Sequence, residues 1–374
     1  RWDYSTVYVG VDAHSNSFTL SCYTNEKETA EYTQKVEGHY SKILNYIEAM
    51  RFHYGDDALF ICGYEAGCLG FTLYHQLMDH GVKCIILAPS TMLEQRSRKR
   101  VKTDKRDAEL IARCLAHHDY SPVHIPTEQD DQTKEYIRMR DDHKLELKKL
   151  KQRILSFCLR HNYRYDVGKT NWTQTHLRWL KSLKPDGLYA EILAEYLGTF
   201  DYLSRKIERL DQKIEELASG MRYKENVRKL TCLMGIRPQT ALAVITEVGD
   251  FNRFAAARHF ASYIGLTPGE DSSGENQTRL GITKAGNSHV RRLLIEAAQC
   301  YTRGRAGHKS REMQKRQLGN RPEVIAYADR ANERLRRRYY RMVLKNNKKA
   351  NVAKTAIARE LACYIWGMLT DNIA

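Results

Sequence analysis

Val7-Tyr-Val-Gly-Val-Asp-Ala-His-Ser-Asn-Ser-Phe-Thr-Leu-Ser-Cys-Tyr23 decides the fold. Val7–Val11 is a short apolar run with β-branched residues, and Phe18–Tyr23 is a second. The polar stretch Ala13-His-Ser-Asn-Ser17 reads as a turn between them, so the whole reads as a β-hairpin. Working outward, Ala30–Val36 supplies a third strand. Tyr40–Arg51 carries apolar residues at 43, 44, 47 and 50, a helical spacing. Leu59–Tyr64 and Val82–Leu87 read as buried strands, the second stopped by Pro89, while Phe71–Met78 and Asp104–His117 read as helices. Three early strands, then helix, strand, helix, strand, helix, is the order of a ribonuclease-H-like α/β domain spanning residues 1–125.

After that the strands vanish. Tyr136–Arg160 is a charged helical pattern, and Leu203–Leu217 repeats apolar residues at 203, 207, 210, 214 and 217. This heptad-like seam fits an antiparallel helical hairpin or an oligomer contact. Between them, 162–184 holds Trp172, Trp179 and several basic residues without a readable period. Val227–Met234, Thr240–Val248, Phe254–Gly265 and Asn287–Tyr301 read as helices, with a Gly- and Ser-rich loop or hairpin at 267–283. A strongly basic tail follows 302 and ends in the apolar helix Val352–Leu369. The expected chain is multi-domain, α/β and then α: a catalytic domain at 1–125, a basic helical linker at 126–225 and a mainly helical domain at 226–374.

Bulk numbers narrow the partners. The 374 residues include 61 Lys and Arg against 45 Asp and Glu, a formal +16. A clustered surplus of that size favours a polyanion, because cations that neutralise phosphates release condensed counterions. The nine cysteines are odd in number and form no C-x-x-C pair, which argues against a disulfide framework or a zinc ribbon and for a reducing compartment. No apolar run approaches the roughly 20 residues that span a bilayer, and no signal-peptide pattern opens the chain. The expectation is a soluble, cytoplasmic protein with no membrane role.

Four carboxylates stand where such a fold puts chemistry. Asp12 ends the first strand, Glu65 lies just past a later one, and Asp104 and Asp107 open a helix three residues apart, on one side of it. Taken singly, each is an ordinary turn former or first-turn charge. Together they repel one another unless a cation neutralises them, and hard oxygen ligands suit Mg²⁺ or Mn²⁺. Two such ions about 4 Å apart can activate an attacking oxygen and stabilise a leaving one in phosphoryl transfer.

Val9-Gly-Val-Asp-Ala-His14, Tyr64-Glu-Ala-Gly67 and Lys102-Thr-Asp-Lys-Arg-Asp-Ala108 resemble the signature blocks of the DEDD-type transposases of bacterial insertion sequences. That family includes Piv-like DNA invertases and bridge-RNA-guided recombinases. Gly265-Leu-Thr-Pro268, Ser272-Ser-Gly274 and Leu280-Gly-Ile-Thr-Lys-Ala-Gly286 resemble its second domain. The resemblance implies a RuvC-like first domain with Asp12, Glu65, Asp104 and Asp107 as a Mg²⁺-binding tetrad, Mn²⁺ being the alternative. It implies a serine nucleophile, Ser273 by position with Ser272 the alternative, in a composite site with the tetrad. Further implications are donor and target DNA, a structured guide RNA, a homo-oligomer (dimer or tetramer), and a bacterial or archaeal host in which the protein acts at the nucleoid.

A serine hydroxyl needs activation, and Arg279, Lys284, Arg291 and Arg292 are close enough in sequence to stabilise a pentavalent phosphate. Lys102, Lys105 and Arg106 flank the acidic pair as further nucleic-acid contacts. Arg237 lies in Leu233–Ala241, which resembles a helix-hairpin-helix whose turn amides grip phosphates. His289-x-x-Arg292, with Tyr301, Tyr339 and Tyr340 downstream, resembles a tyrosine-recombinase set. The competing classes are an RNA-independent invertase, a metal-dependent junction-resolving nuclease that needs the tetrad alone, and a non-catalytic nucleic-acid-binding protein.

Overall fold

The computed structural model describes residues 6–67, 69–89, 103–273 and 276–373; of 270–273 and 276–280 it describes the backbone course. The chain forms two compact units, Arg1–Ile125 and Pro126–Ala374.

The first unit is a mixed sheet of β1 (Thr6–Ala13), β2 (Ser17–Tyr23), β3 (Ala30–Glu37), β4 (Leu59–Glu65) and β5 (Lys83–Leu87). The strand order is β3-β2-β1-β4-β5. The hairpin expected from Val7–Tyr23 forms, with Asp12 opposite Thr19. β4 runs parallel to β1, Val11 beside Tyr64, and β5 runs parallel to β4. Alternation sorts the side chains. Val7, Val9, Val11, Phe60, Cys62 and Tyr64 pack with α1 (Tyr40–Tyr54) and α2 (Thr72–Asp79) on one face. Tyr8 and Ile61 pack with Ile111, Ala112 and Leu115 of α3 (Asp104–His117) on the other.

Gly10 sets how close α3 comes. A Cβ there would lie 2.0 Å from the Ala108 carbonyl oxygen and 2.5 Å from the Ala112 nitrogen. Any side chain at residue 10 would force the helix away from the strand. Gly63 plays the same part on β4, where a Cβ would meet the Leu115 methyls at 2.7 Å.

The second unit is helical apart from one hairpin. Its two long helices, α4 (Glu128–Arg160) and α6 (Leu188–Ser219), run antiparallel, as Arg140 pairing with Asp211 and Leu150–Cys158 packing against Leu193–Leu203 require. The seam extends beyond the expected one, since Leu193, Leu197 and Phe200 continue the buried series of Leu203, Ile207, Leu210 and Ile214. At the far end lies α5 (Gln174–Ser182), where buried His176 sits among Tyr165, Trp172 and Trp179 and accepts from the Trp172 amide at 3.0 Å. This aromatic box is what the unreadable stretch forms.

The remaining helices are α7 (Lys224–Leu230), α8 (Pro238–Val248), α9 (Ala257–Tyr263), α10 (Ser288–Ala298), α11 (Arg311–Gln317), α12 (Pro322–Tyr340) and α13 (Ala350–Leu369). All but α11 contribute to one core, in which α13 is central: Ala353, Ile357, Leu361 and Ile365 are fully buried. The Gly- and Ser-rich segment is a hairpin of β6 (Pro268–Ser273) and β7 (Asn276–Ile282). The eight described cysteines are all free. Among the described residues no helix is long and apolar enough to cross a membrane.

Candidate active site

Three of the four expected carboxylates meet on the α3 face of the sheet. Asp12 follows Gly10 by two residues on β1, so it points toward α3. The first turn of α3 supplies Asp104 and Asp107, held by an N-cap in which Thr103 Oγ1 accepts from the Arg106 amide at 3.4 Å. The positive end of that helix favours both charges. Burial raises the Asp12 carboxyl above its ordinary range, and the charges of Asp107 and Asp104 raise it further, against His14. Glu65 is the last residue of β4. One step beyond the Val11–Tyr64 pair, the parallel register puts it beside Asp12, and alternation gives it the same face.

Two members of this cluster escaped the sequence reading. His14 Nε2 lies 3.1 Å from Asp12 Oδ2 and 3.7 Å from Asp104 Oδ1. Lys35 on the edge strand β3 donates to Asp104 Oδ2 at 3.0 Å, and this contact first, then its charge, draws the exposed Asp104 carboxyl below its usual range. Asp12-x-His14 is a signal of sorts, two polar side chains on one face at a strand end. Lys35 carries none, because the register of an edge strand is invisible in sequence.

Ligand atoms of Asp12, His14 and Asp104 all lie within 4.8 Å of one another. Acids close enough to raise the Asp12 carboxyl are what a cation relieves, and the donor set, mostly carboxylate oxygen with one imidazole, fits a hard or borderline divalent metal.

The second unit holds the serine. Ser273 ends β6, its backbone paired with Asn276 across the turn, and Ser272 pairs with Gln277. The base of this hairpin is clamped by Arg291 of α10, which donates to the carbonyls of Ile264 at 2.9 Å and Ala285 at 3.0 Å. Arg291 therefore spends donors on backbone, and Arg292 spends its own on Asp141 at 2.6 Å and Glu296 at 3.3 Å. Lys284 is exposed, with positive φ, at the hairpin's end. Below it, Glu247 of α8 accepts two bonds from Arg138, at 2.7 and 2.8 Å, and one from Asn287, the N-cap of α10, at 2.9 Å.

The other expected contacts are dispersed. Lys105 is exposed on α3 and lies 3.9 Å from Glu109, and Arg106 is exposed on the same turn. Arg237 precedes α8 and pairs with Glu312 at 3.1 Å. Its turn is pressed onto α10: Gly235 has φ +79° and a Cβ there would lie 2.3 Å from the Ala297 carbonyl oxygen. Lys102 lies outside the described residues, as does the Arg279 side chain. Of the tyrosine-recombinase set, Tyr301 is fully buried with its hydroxyl bonded to Asn332, and Tyr339 is buried.

Comparison with known proteins follows the two units. A DEDD-type transposase profile matches residues 9–162, and the profile described as "Transposase IS116/IS110/IS902 family" matches 227–313. A putative transposase, y4qE, of Sinorhizobium fredii is 32% identical over 99% of this chain and 90% of its own length. The chain belongs to this transposase family. Its enzyme class is therefore that of transposases, which cut and join DNA. The transposase of insertion sequence element IS1533 of Leptospira borgpetersenii is 29% identical over 91% of this chain and 98% of its own. A pilin gene-inverting protein of Moraxella lacunata is 24% identical over 80% and 84%.

Proposed function

We propose that this transposase moves an insertion sequence by serine-based strand exchange assisted by a Mg²⁺-loaded acidic tetrad, with a structured RNA as guide. The gathering of Asp12, Asp104 and Asp107 on one face, with Glu65 aligned by register, carries the reading. Sheet order β3-β2-β1-β4-β5, antiparallel on one side and parallel on the other, supports a ribonuclease-H-like, RuvC-like first unit.

Asp12, Glu65, Asp104 and Asp107 would hold the ion, with His14 beside them. Bound Mg²⁺, or Mn²⁺ in its place, would supply Lewis-acid stabilisation of charge on the reacting phosphate. Ser273 attacks the scissile phosphorus: its Oγ–P bond forms, the phosphodiester P–O bond breaks, and the proton leaves with the released hydroxyl. Attack by the hydroxyl of the second DNA strand then frees the serine, so each phosphodiester is exchanged for another without outside energy. Among the described residues, exposed Lys284 is a cation at the end of the serine's hairpin, and Arg279 lies six residues from Ser273 in sequence. Arg291 positions that hairpin. Lys105 and Arg106, exposed on the first turn of α3, offer basic contacts beside the tetrad, and Lys102 precedes them in sequence. Strand exchange needs at least two active sites, which favours a dimer or tetramer.

The test is a joining assay with donor and target DNA, Mg²⁺ and RNA from the element's noncoding flank. Wild type gives joined product and a protein–DNA adduct; Ser273→Ala gives neither, and Asp12→Asn gives joined product reduced on the order of 10²–10³-fold. Full joining by Ser273→Ala overturns the nucleophile, with Ser272→Ala as the companion variant. Hydrolysed ends without adduct mark a junction nuclease. Joining without RNA marks an RNA-independent invertase; gene inversion is what the similar Moraxella pilin gene-inverting protein is named for.

A further inference from the structure

Far along the second unit, α12 and α13 flank an open slot of about 610 Å³ that the chemistry above leaves unused. Arg330, Arg334, Arg337, Arg338 and Arg341 line it. Their spacing of four, three, one and three residues puts all five on one helical face. Two tyrosines also line the slot: Tyr327, and half-buried Tyr364 from α13, with ring centroids 5.4 Å apart.

Five arginines face two glutamates. Glu360 of α13 takes Arg334 and Arg338, and Glu333 takes Arg337. Among the described residues no carboxylate pairs with Arg330 or Arg341. Arg330 donates to the Ile373 carbonyl and lies 5.9 Å from the Tyr327 ring centroid. The glutamates orient the guanidinium planes without cancelling their charge. The slot's floor then continues into a π-helical turn, Arg341–Lys345, and into exposed Lys348 and Lys349. Such turns concentrate at functional sites.

We propose that this slot binds a single-stranded RNA segment. The proposal rests on the RNA-dependent reading and gives the RNA a surface. Guanidiniums read phosphates as forks, and ring faces and guanidinium planes stack on bases. An unpaired strand offers both, whereas a duplex hides its base faces. One observation favours ribose. Glu333 also lines the slot; it repels phosphate but accepts from a 2′-hydroxyl, the group that tells RNA from DNA.

The experiment measures anisotropy of fluorescein-labelled oligouridylate and of the matching oligodeoxyuridylate with the full chain over a salt series. Wild type binds the RNA more tightly. Arg337→Ala with Arg341→Ala weakens RNA binding about tenfold or more and reduces the slope of log K against log salt by about 1.4, two single-strand contacts' worth. Replacing both by Lys restores the slope and less of the affinity. Lys148→Ala with Lys149→Ala removes equal charge from α4 and leaves binding within twofold. Equal loss in both alanine pairs overturns the proposal, as does equal affinity for the two sugars, or unchanged RNA binding in a folded Arg337/Arg341 variant. Asp12→Asn separates the readings: RNA binding retained with joining lost supports both, and joining intact in Asp12→Asn sinks the catalytic reading while the slot stands.

Discussion

Asp12 and Glu247 are both carboxylates drawn away from solvent, and their surroundings treat them in opposite ways. Burial raises Asp12, and two more acids, Asp104 and Asp107, raise it further. Burial also works to raise Glu247, but the bonds from Arg138 and Asn287 outweigh it and hold the carboxyl low. Asp130 repeats the second pattern, with Arg222 and Tyr223 as donors holding it down against burial. Acid density alone does not mark a reactive site. What separates the two is how far donors already satisfy the acid: Glu247 and Asp130 serve as fasteners, while Asp12 stays raised despite His14.

The sharpest way to break this contrast is Asp12→Asn. Joining should fall on the order of 10²–10³-fold, while the melting temperature stays level or rises, since a repulsion is removed. A variant that melts early would put Asp12 among the fasteners. Glu247→Ala should do the reverse, costing about 3 kcal/mol in urea unfolding because it strands a partly buried guanidinium. Glu247→Gln adds a pH signature. The folded carboxyl lies below its ordinary 4.5, so its contribution is present above that pH and lost as pH falls through the folded value; the Gln variant should lack this part of acid destabilisation. Mg²⁺ or Mn²⁺ at a hundredfold excess over Kd should stabilise wild type by about 2.7 kcal/mol, and leave Asp12→Asn with Asp104→Asn unmoved. Equal stabilisation of that double variant would place the metal elsewhere. The smallest effect is expected of Arg291→Lys, which loses one of two carbonyl bonds at the hairpin base: about 1 kcal/mol in unfolding, with slower adduct formation.

Much of the first unit was legible because its strands are short, apolar and separated by turn residues, and because period-two alternation assigns each side chain a face. Asp12 and Glu65 could be placed together before any coordinates because each stands at a strand end. The cations among the acids were not legible: the place of Lys35 depends on the register of an edge strand. In the second unit, the expected phosphate ligands Arg291 and Arg292 hold carbonyls and carboxylates instead, a difference composition cannot express. Leu193–Phe200 extends the seam, but two consecutive three-residue steps, 197 to 200 to 203, break the alternation there. The box around His176 is built from a nine-residue helix and its flanks, too short for a period to show.

Gly10 carries a practical consequence. In a screen scored by transposition, substitutions at residue 10 would look as damaging as substitutions at Asp12, and a map of sensitive positions would count both as catalytic. Yet residue 10 offers no ligand atom; it acts as a gauge block, whose thickness of a single hydrogen fixes how near Asp104 and Asp107 come to the strand. Added metal should tell the two apart. A higher Mg²⁺ or Mn²⁺ concentration can partly rescue a Gly10→Ala protein, in which the ligands are spread but present, and cannot rescue Asp12→Asn, in which one is gone.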